Sequence, residues 1–285
     1  MSLRGRAAIV GIGEVPTRRV HEGRSMYGLC AEAASIALKD AGLDKDDIDG
    51  LVTDGVALPP NTAEYIGIRP SFATGVSMQG ASGATATMVA ASAINSGICK
   101  TVLVVMGNSR EDASRQGRVA GRGTPGPSVR SEWEEPYGMA PGANTGYGLI
   151  YRRHMHEYGT TEEQMAKMAA DQRYNAQDNE NAVFRGQPIS KEDVLNSRYI
   201  NEPLKLLESV MPCDGAAALI ITSPERARRM KNKPAYILGV GLQQGEANIW
   251  QREKFTETPT VASAKRALEM AGYRPSDIEF AEFYD

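Results

Sequence analysis

Apolar positions recur along this chain in two rhythms, and a buried strand comes first: Ala7-Ala8-Ile9-Val10-Gly11-Ile12-Gly13 is a short apolar run punctuated by glycine. From Ser25 to Ala41 the period changes. Leu29, Ala33, Ile36, Ala37 and Ala41 stand three and four apart and predict a helix, with Gly42 as its stop. Asp47 to Thr53 predicts a second strand, Pro59-Pro60 a loop before a short helical piece, and Phe72 to Met78 a third strand. Gly80-Ala81-Ser82-Gly83 then opens an alanine-rich stretch to Ser96 with almost no charge on any face. A helix apolar all round is expected to be buried on all sides, which places this one between sheets. Thr101 to Met106 follows as a strand.

From Arg110 to about Asn201 the strand–helix rhythm is suspended in Gly, Pro and Arg, with Trp133 and Tyr137, before helices around Leu149 to Glu157 and Thr161 to Asn175. It resumes with a small-residue strand, Asp214 to Ile221, and a charged helix, Pro224 to Lys231. The pattern predicts one α/β domain with a long cap, about 110–201, inserted between strands. An internal repeat is also visible. Ala235-Tyr236-Ile237-Leu238-Gly239-Val240-Gly241 repeats the first strand 228 residues later, and Ala267-Leu268, Ala271-Gly272 and Asp277-Ile278-Glu279 repeat Ala37-Leu38, Ala41-Gly42 and Asp47-Ile48-Asp49 after 230. Residues 1–232 therefore read as one half carrying the cap, and 233–285 as the start of a second half, which lacks roughly 80 to 100 residues of its counterpart by repeat bookkeeping.

Composition narrows the function. With 41% hydrophobic and 24% charged residues the chain is a globular one, and 32 Lys and Arg against 35 Asp and Glu leave a charge of −3, too balanced for a nucleic-acid binder. Cys30, Cys99 and Cys213 form no disulfide framework and no paired metal spacing, which points to a reducing compartment. No signal peptide and no apolar run of about 20 residues is present, so a cytoplasmic protein without a membrane span is expected.

Three segments carry a family likeness: Gln79-Gly80-Ala81-Ser82-Gly83, Cys213-Asp214-Gly215-Ala216-Ala217-Ala218, and Ala281-Glu282-Phe283-Tyr284-Asp285. With the duplicated unit and the buried glycine-started helix, they resemble the thiolase superfamily, above all its sterol-carrier and lipid-transfer branch, which includes steroid side-chain aldolases. The likeness spans nearly the whole chain. It implies a thiolase-like five-layer αβαβα fold with duplicated halves, the second incomplete in this chain. It also implies a homodimer with Phe72 to Met78 near its edge, and an acyl-CoA substrate whose pantetheine arm passes under the cap. CoA enters as a thioester substrate; no covalently bound cofactor and no metal is implied.

Thiolases place a nucleophilic cysteine at the N-terminus of the central helix, where free amides and the helix dipole favour a thiolate. The matching position here is Gly80, which has no sulfur. The resemblance then implies a non-covalent reaction: the helix amides stabilise a thioester enolate while a carbon–carbon bond of a β-hydroxyacyl-CoA is cleaved by retro-aldol chemistry. Tyr284 stands where sterol-carrier thiolases carry histidine and is the candidate general acid or base. Gly80 marks the backbone donor, and Ser82 is a helix cap or a polar neighbour of the substrate. The branch's aldolases rely on a small OB-fold and zinc-ribbon partner. Two alternatives stand beside this reading: a non-catalytic acyl-CoA or lipid-binding subunit, and a conventional thiolase or acyltransferase, against which Gly80 argues.

Other motifs are weaker. Gly11-x-Gly13 needs a third glycine at 16 to be a dinucleotide loop, and Pro16 stands there. Gly80-Ala81-Ser82-Gly83-Ala84 misses the hydrolase nucleophile elbow at Ala84, and only His154 and His156 lie downstream as bases. Those two histidines diverge by about 200° on a helix and do not share one ion. The arginines from Arg110 to Arg130 resemble cap residues that meet a CoA phosphate, with no single one distinguished.

Overall fold

The structure is a computed structural model that describes residues 2–110, 132, 136, 143–246 and 249–283. In chain order it contains β1 (Ala8–Arg18), α1 (Met26–Ala41), β2 (Gly50–Asp54), α2 (Pro59–Ile66), β3 (Phe72–Val76), α3 (Ser82–Asn95) and β4 (Thr101–Asn108). After the cap region come α4 (Ala143–Tyr158), α5 (Glu162–Asn175), α6 (Lys191–Asn196), the small β5 (Tyr199–Asn201) and β6 (Leu204–Lys205) pair, β7 (Asp214–Thr222), α7 (Pro224–Ala227), β8 (Ala235–Tyr236) and α8 (Thr260–Ala271). Six strands form one mixed sheet in the order β3-β2-β4-β7-β1-β8. Helical crossovers make β2, β3 and β4 parallel, whereas β7 runs antiparallel to both β4 and β1.

The two faces of the sheet follow strand alternation. Leu51, Leu103, Val105, Ala218 and Ile220 pack on α1 and α2, while Val52, Val102, Val104 and Ile221 pack on α3. Ser25 caps α1 by accepting the Gly28 N–H at 3.1 Å. At its other end Gly42, at φ 68°, closes the helix in the left-handed conformation, and Gly272, at φ 71°, does the same for α8. The chain thus alternates helix, sheet and helix layers.

The repeat has a structural basis. A Cβ on Gly13 would stand 2.1 Å from the Ala33 carbonyl oxygen and one on Gly11 2.6 Å from that of Ala37. Cβ atoms on Gly241 and Gly239 would stand 1.9 and 2.0 Å from the carbonyls of Ser263 and Ala267. Both glycine pairs exist so that a strand can lie directly on a helix backbone. For Gly11 and Gly13 this replaces any dinucleotide role.

Several sequence expectations are corrected. β1 runs on to Arg18. The strand expected from Asp47 begins only at Gly50, because Asp44 donates its N–H to the Asp47 carboxylate at 3.0 Å and winds Lys45–Asp47 into a 3-10 turn. In the second copy only Ala235 and Tyr236 form strand, Ile237 adds one bond to the Ala7 carbonyl at 3.0 Å, and Leu238–Gly241 runs without a ladder. Its Asp277 also lies in a 3-10 turn, Pro275–Asp277. Among the described residues α3 therefore packs on a sheet on one side, and Ala84 on its other side is exposed. The helix expected to Lys231 stops at Ala227.

Candidate active site

The strand registers bring one set of connections to one end of the sheet. Arg18 pairs with Asp214, Asp54 with Val76, and Asn108 with Gly215, so β1, β2, β3 and β4 all end where β7 begins. In open α/β sheets ligands bind outside the carboxyl ends of the parallel strands, where helices also present their N-termini. Here α1, α2 and α3 all start at that end, and the Gly80-Ala81-Ser82-Gly83 motif stands at the start of α3.

The turn from β3 into α3 is held in an unusual shape. Gln79 has φ 50°, the one positive value at a non-glycine among the described residues. Such a conformation costs about 1 to 2 kcal/mol and persists only where its surroundings impose it. Ser82 does so: its Oγ accepts the Met78 N–H at 2.9 Å and donates to the Gln79 carbonyl at 2.7 Å. Between these residues lies Gly80, exposed, with Gln79 and Ala81 exposed beside it. The residue preceding α3 is Ala81, whose methyl cannot cap the helix amides. Thus Gly80 and Ser82 meet in one turn, Ser82 with its hydroxyl engaged on both sides. Tyr284 lies outside the described residues, as do residues 111–131.

None of the three cysteines is an activated thiol. Burial, with Asp54 nearby, pushes the Cys30 thiol from 9.0 up to about 12; burial, with Asp49 nearby, pushes Cys99 up to about 11. Cys213 is also raised by burial, and its Sγ donates to the Met211 carbonyl at 3.1 Å. All three are protonated at neutral pH, which suits structural roles.

The neighbouring loops are tightly fitted. A Cβ on Gly55 would meet Ser77 Cβ at 2.7 Å, and one on Gly107 would meet Cys30 Sγ at 2.7 Å. Asp54 accepts the Ala57 N–H at 2.9 Å; burial raises its carboxyl above the usual range despite amide bonds from Ala57, Val56 and Gly107. Asp54-Gly55 is a turn signature that could have drawn attention to this loop. Nothing in the residue order reveals the left-handed Gln79.

Just after the cap, Lys205 is buried at 5% exposure, donates to the Leu195 carbonyl at 2.8 Å, pairs with Glu162 at 3.2 Å and lies 4.0 Å over the Tyr199 ring. His154 Nδ1 is 2.7 Å from Thr160 Oγ1, and no group able to hold a metal occurs among the described residues. A cleft of about 500 Å³ separates the end of α4 from residues 253–257. Its charges serve its walls: Arg153 meets Glu157 at 2.5 Å, Thr256 donates to Glu157 at 2.9 Å, and Lys254 meets Glu257 at 2.7 Å. Hydrogen bonds from Arg153 and Thr256 hold the Glu157 carboxyl below its usual range.

No known family profile matches the chain. It is 35% identical to a steroid side-chain-cleaving aldolase of Thermomonospora curvata, over 99% of this chain and 75% of that protein. It is 33% identical to a 17-hydroxy-3-oxo-4-pregnene-20-carboxyl-CoA lyase of Mycobacterium tuberculosis, over 99% of this chain and 76% of that one. The fold is similar to that of a solved Ltp2-ChsH2(DUF35) aldolase, with a TM-score of 0.87 and 32% identity over 97% of this chain and 72% of the other. No helix among the described residues is long and apolar enough to cross a membrane. A thiolase-like fold, matched along almost its whole length by a side-chain-cleaving aldolase at 35% identity and by a solved aldolase at 32%, places this chain in the steroid side-chain-cleaving aldolase family.

Proposed function

We propose that this protein is an acyl-CoA lyase of steroid degradation that cleaves a carbon–carbon bond of a β-hydroxyacyl-CoA by retro-aldol chemistry. One observation carries the reading: the turn that starts α3 has Gly80 where a thiolase resemblance calls for a nucleophilic cysteine, and Cys30 and Cys99 are protonated well above neutral pH. An acyl-enzyme needs a thiolate, whereas a retro-aldol step needs a base and an enolate-stabilising site.

In that step a base takes the β-hydroxyl proton and the O–H electrons become the new carbonyl π bond. The Cα–Cβ bond breaks and its electron pair moves onto the thioester as an enolate. A proton delivered to Cα then completes the acyl-CoA product, and a ketone or aldehyde leaves. We assign the enolate oxygen to the amides at the N-terminus of α3 beside Gly80, a type of interaction worth about 3 to 4 kcal/mol per donor. Ser82 supports it by fixing the turn. Tyr284 is assigned the proton transfer; a phenol of pKa about 10 serves as a base only where its neighbours favour the phenolate.

The same reading takes the chain as two thiolase-like halves, 1–232 with the cap at about 110–201, and 233–285. It places the protein in the cytoplasm as a homodimer, working with a small OB-fold and zinc-ribbon partner. The two names joined in the Ltp2-ChsH2(DUF35) aldolase support an accessory subunit.

The test is to supply β-hydroxyacyl-CoA thioesters with steroid side chains and assay for released ketone or aldehyde. Release of carbonyl product is expected, and Tyr284→Phe should lower kcat by about a hundredfold or more with ester binding retained. Tight CoA-ester binding without product from any thioester would instead identify a non-catalytic binding subunit.

A further inference from the structure

Asp214 opens the Asp-Gly-Ala-Ala-Ala strand, and nothing in the reaction above uses it. Its residue is 0% exposed, yet its carboxylate meets neither lysine nor arginine side chain at ion-pair distance among the described residues. It accepts two backbone amides instead. Oδ2 takes the His21 N–H at 2.9 Å and Oδ1 the Arg110 N–H at 2.7 Å. A buried carboxylate is tolerated only when its lone pairs are satisfied, and charge-assisted bonds to amides are the stronger kind.

The two donors belong to different connections, one leaving β1 and the other leaving β4. Further bonds lace the same place: Asn108 Nδ2 donates to the Cys213 carbonyl at 3.1 Å, and Ser109 Oγ to the Arg24 carbonyl at 3.1 Å. Three successive residues at the end of β4 are thereby fixed to the connection between β1 and α1 and to the entry of β7. Just before them, Met106 Sδ lies 4.0 Å from where a Cβ on Gly83 would stand, in the first turn of α3, and the Gly107 amide bonds to Asp54.

We infer that Asp214 is a positioning residue for the lyase reaction: by clasping His21 and Arg110 it sets the end of β4 against the first turn of α3. The inference rests on the lyase reading for its kinetic consequence and on the hydrogen bonds alone for its structural one. Small displacements of a reacting geometry are costly, so loss of the clasp acts on the chemical step more than on binding.

The test uses the full chain with Asp214→Asn, which keeps one acceptor but turns an amide donor towards the second N–H. Hydrogen exchange at the His21 and Arg110 amides should accelerate tenfold or more, with the β2 amides unchanged. With a β-hydroxyacyl-CoA, kcat should fall about tenfold and KM should stay within about threefold. Thr222→Val provides the control, because it removes the Thr222 hydroxyl bond to the Lys100 carbonyl at the opposite end of the same strand. Should Asp214→Asn fail to fold, Ser109→Ala removes a neighbouring tie between the same two connections and should give the same pattern to a smaller degree. Unchanged exchange at both amides, or equal acceleration across the sheet in Asp214→Asn and Thr222→Val, overturns the inference. If the unaltered protein turns over no β-hydroxyacyl-CoA, the lyase reading fails, and the exchange comparison still decides the clasp.

Discussion

The two copies of the strand–helix unit share a crossing and differ in everything around it. In the first, β1 has partners on both edges and α1 buries Leu29, Cys30, Ala33, Ala34 and Ala37 completely. In the second, Leu238–Gly241 has no ladder, α8 buries only Ala271, and Val261 is 73% exposed. The glycine contacts are nonetheless almost equally close. A backbone-on-backbone crossing is thus a local property of Gly and Ala placement, whereas burial is conferred by neighbouring layers.

That contrast is broken most sharply at the crossing itself. Gly13→Ala places a methyl 2.1 Å from a carbonyl inside a fully packed layer and should cost about 3 kcal/mol or more. Gly241→Ala makes a similar clash, but α8 has room to shift, and a loss of about 1 kcal/mol is expected. Urea midpoints measure both, and equal losses would show that the second copy is as rigid as the first.

Leu38 and Leu268 sharpen the comparison, being equivalent positions 230 residues apart, one buried and one half-exposed. Leu38→Ala should cost about 2 to 4 kcal/mol and Leu268→Ala about 1 or less. A pH slope at the alkaline end probes the same contrast. Cys30 ionises at an ordinary pKa when unfolded and near 12 when folded, so above pH 9 the unfolded chain binds fewer protons and stability falls. The loss should be about 1.4 kcal/mol per pH unit from pH 9 towards 12, and Cys30→Ala should flatten it. Thr260, the counterpart of Cys30 in the second copy, has no group to titrate in that range.

Period and punctuation in the residue order were enough to place α1, β3, β4 and β7 within two residues, because Ser25, Gly42 and the Val-Leu-Val-Val run act locally. The glycine pairs declared the repeat for the same reason. Asp47 turns rather than extends because its carboxylate bonds back to Asp44, a competition that hydrophobicity does not register. Burial of α3 on both sides was inferred from its composition, but the second sheet that would cover it does not form among the described residues. In the candidate site, Gly80 and Ser82 were legible as a motif. The φ of Gln79 was not, because the hydroxyl bonds of Ser82 to Met78 and Gln79 leave no mark in a hydrophobic pattern, and the two amides gathered by Asp214 were not, because they come from segments about 100 or more residues away that meet at one end of a sheet.

Strand order has a consequence for synthesis. Both neighbours of β1, β7 and β8, are translated roughly 200 residues after it, so a nascent chain that has passed β4 but not reached residue 214 has a first strand with two bare edges. Until β7 emerges, those edges are open to pairing with other chains, so the sheet completes its centre only late in synthesis.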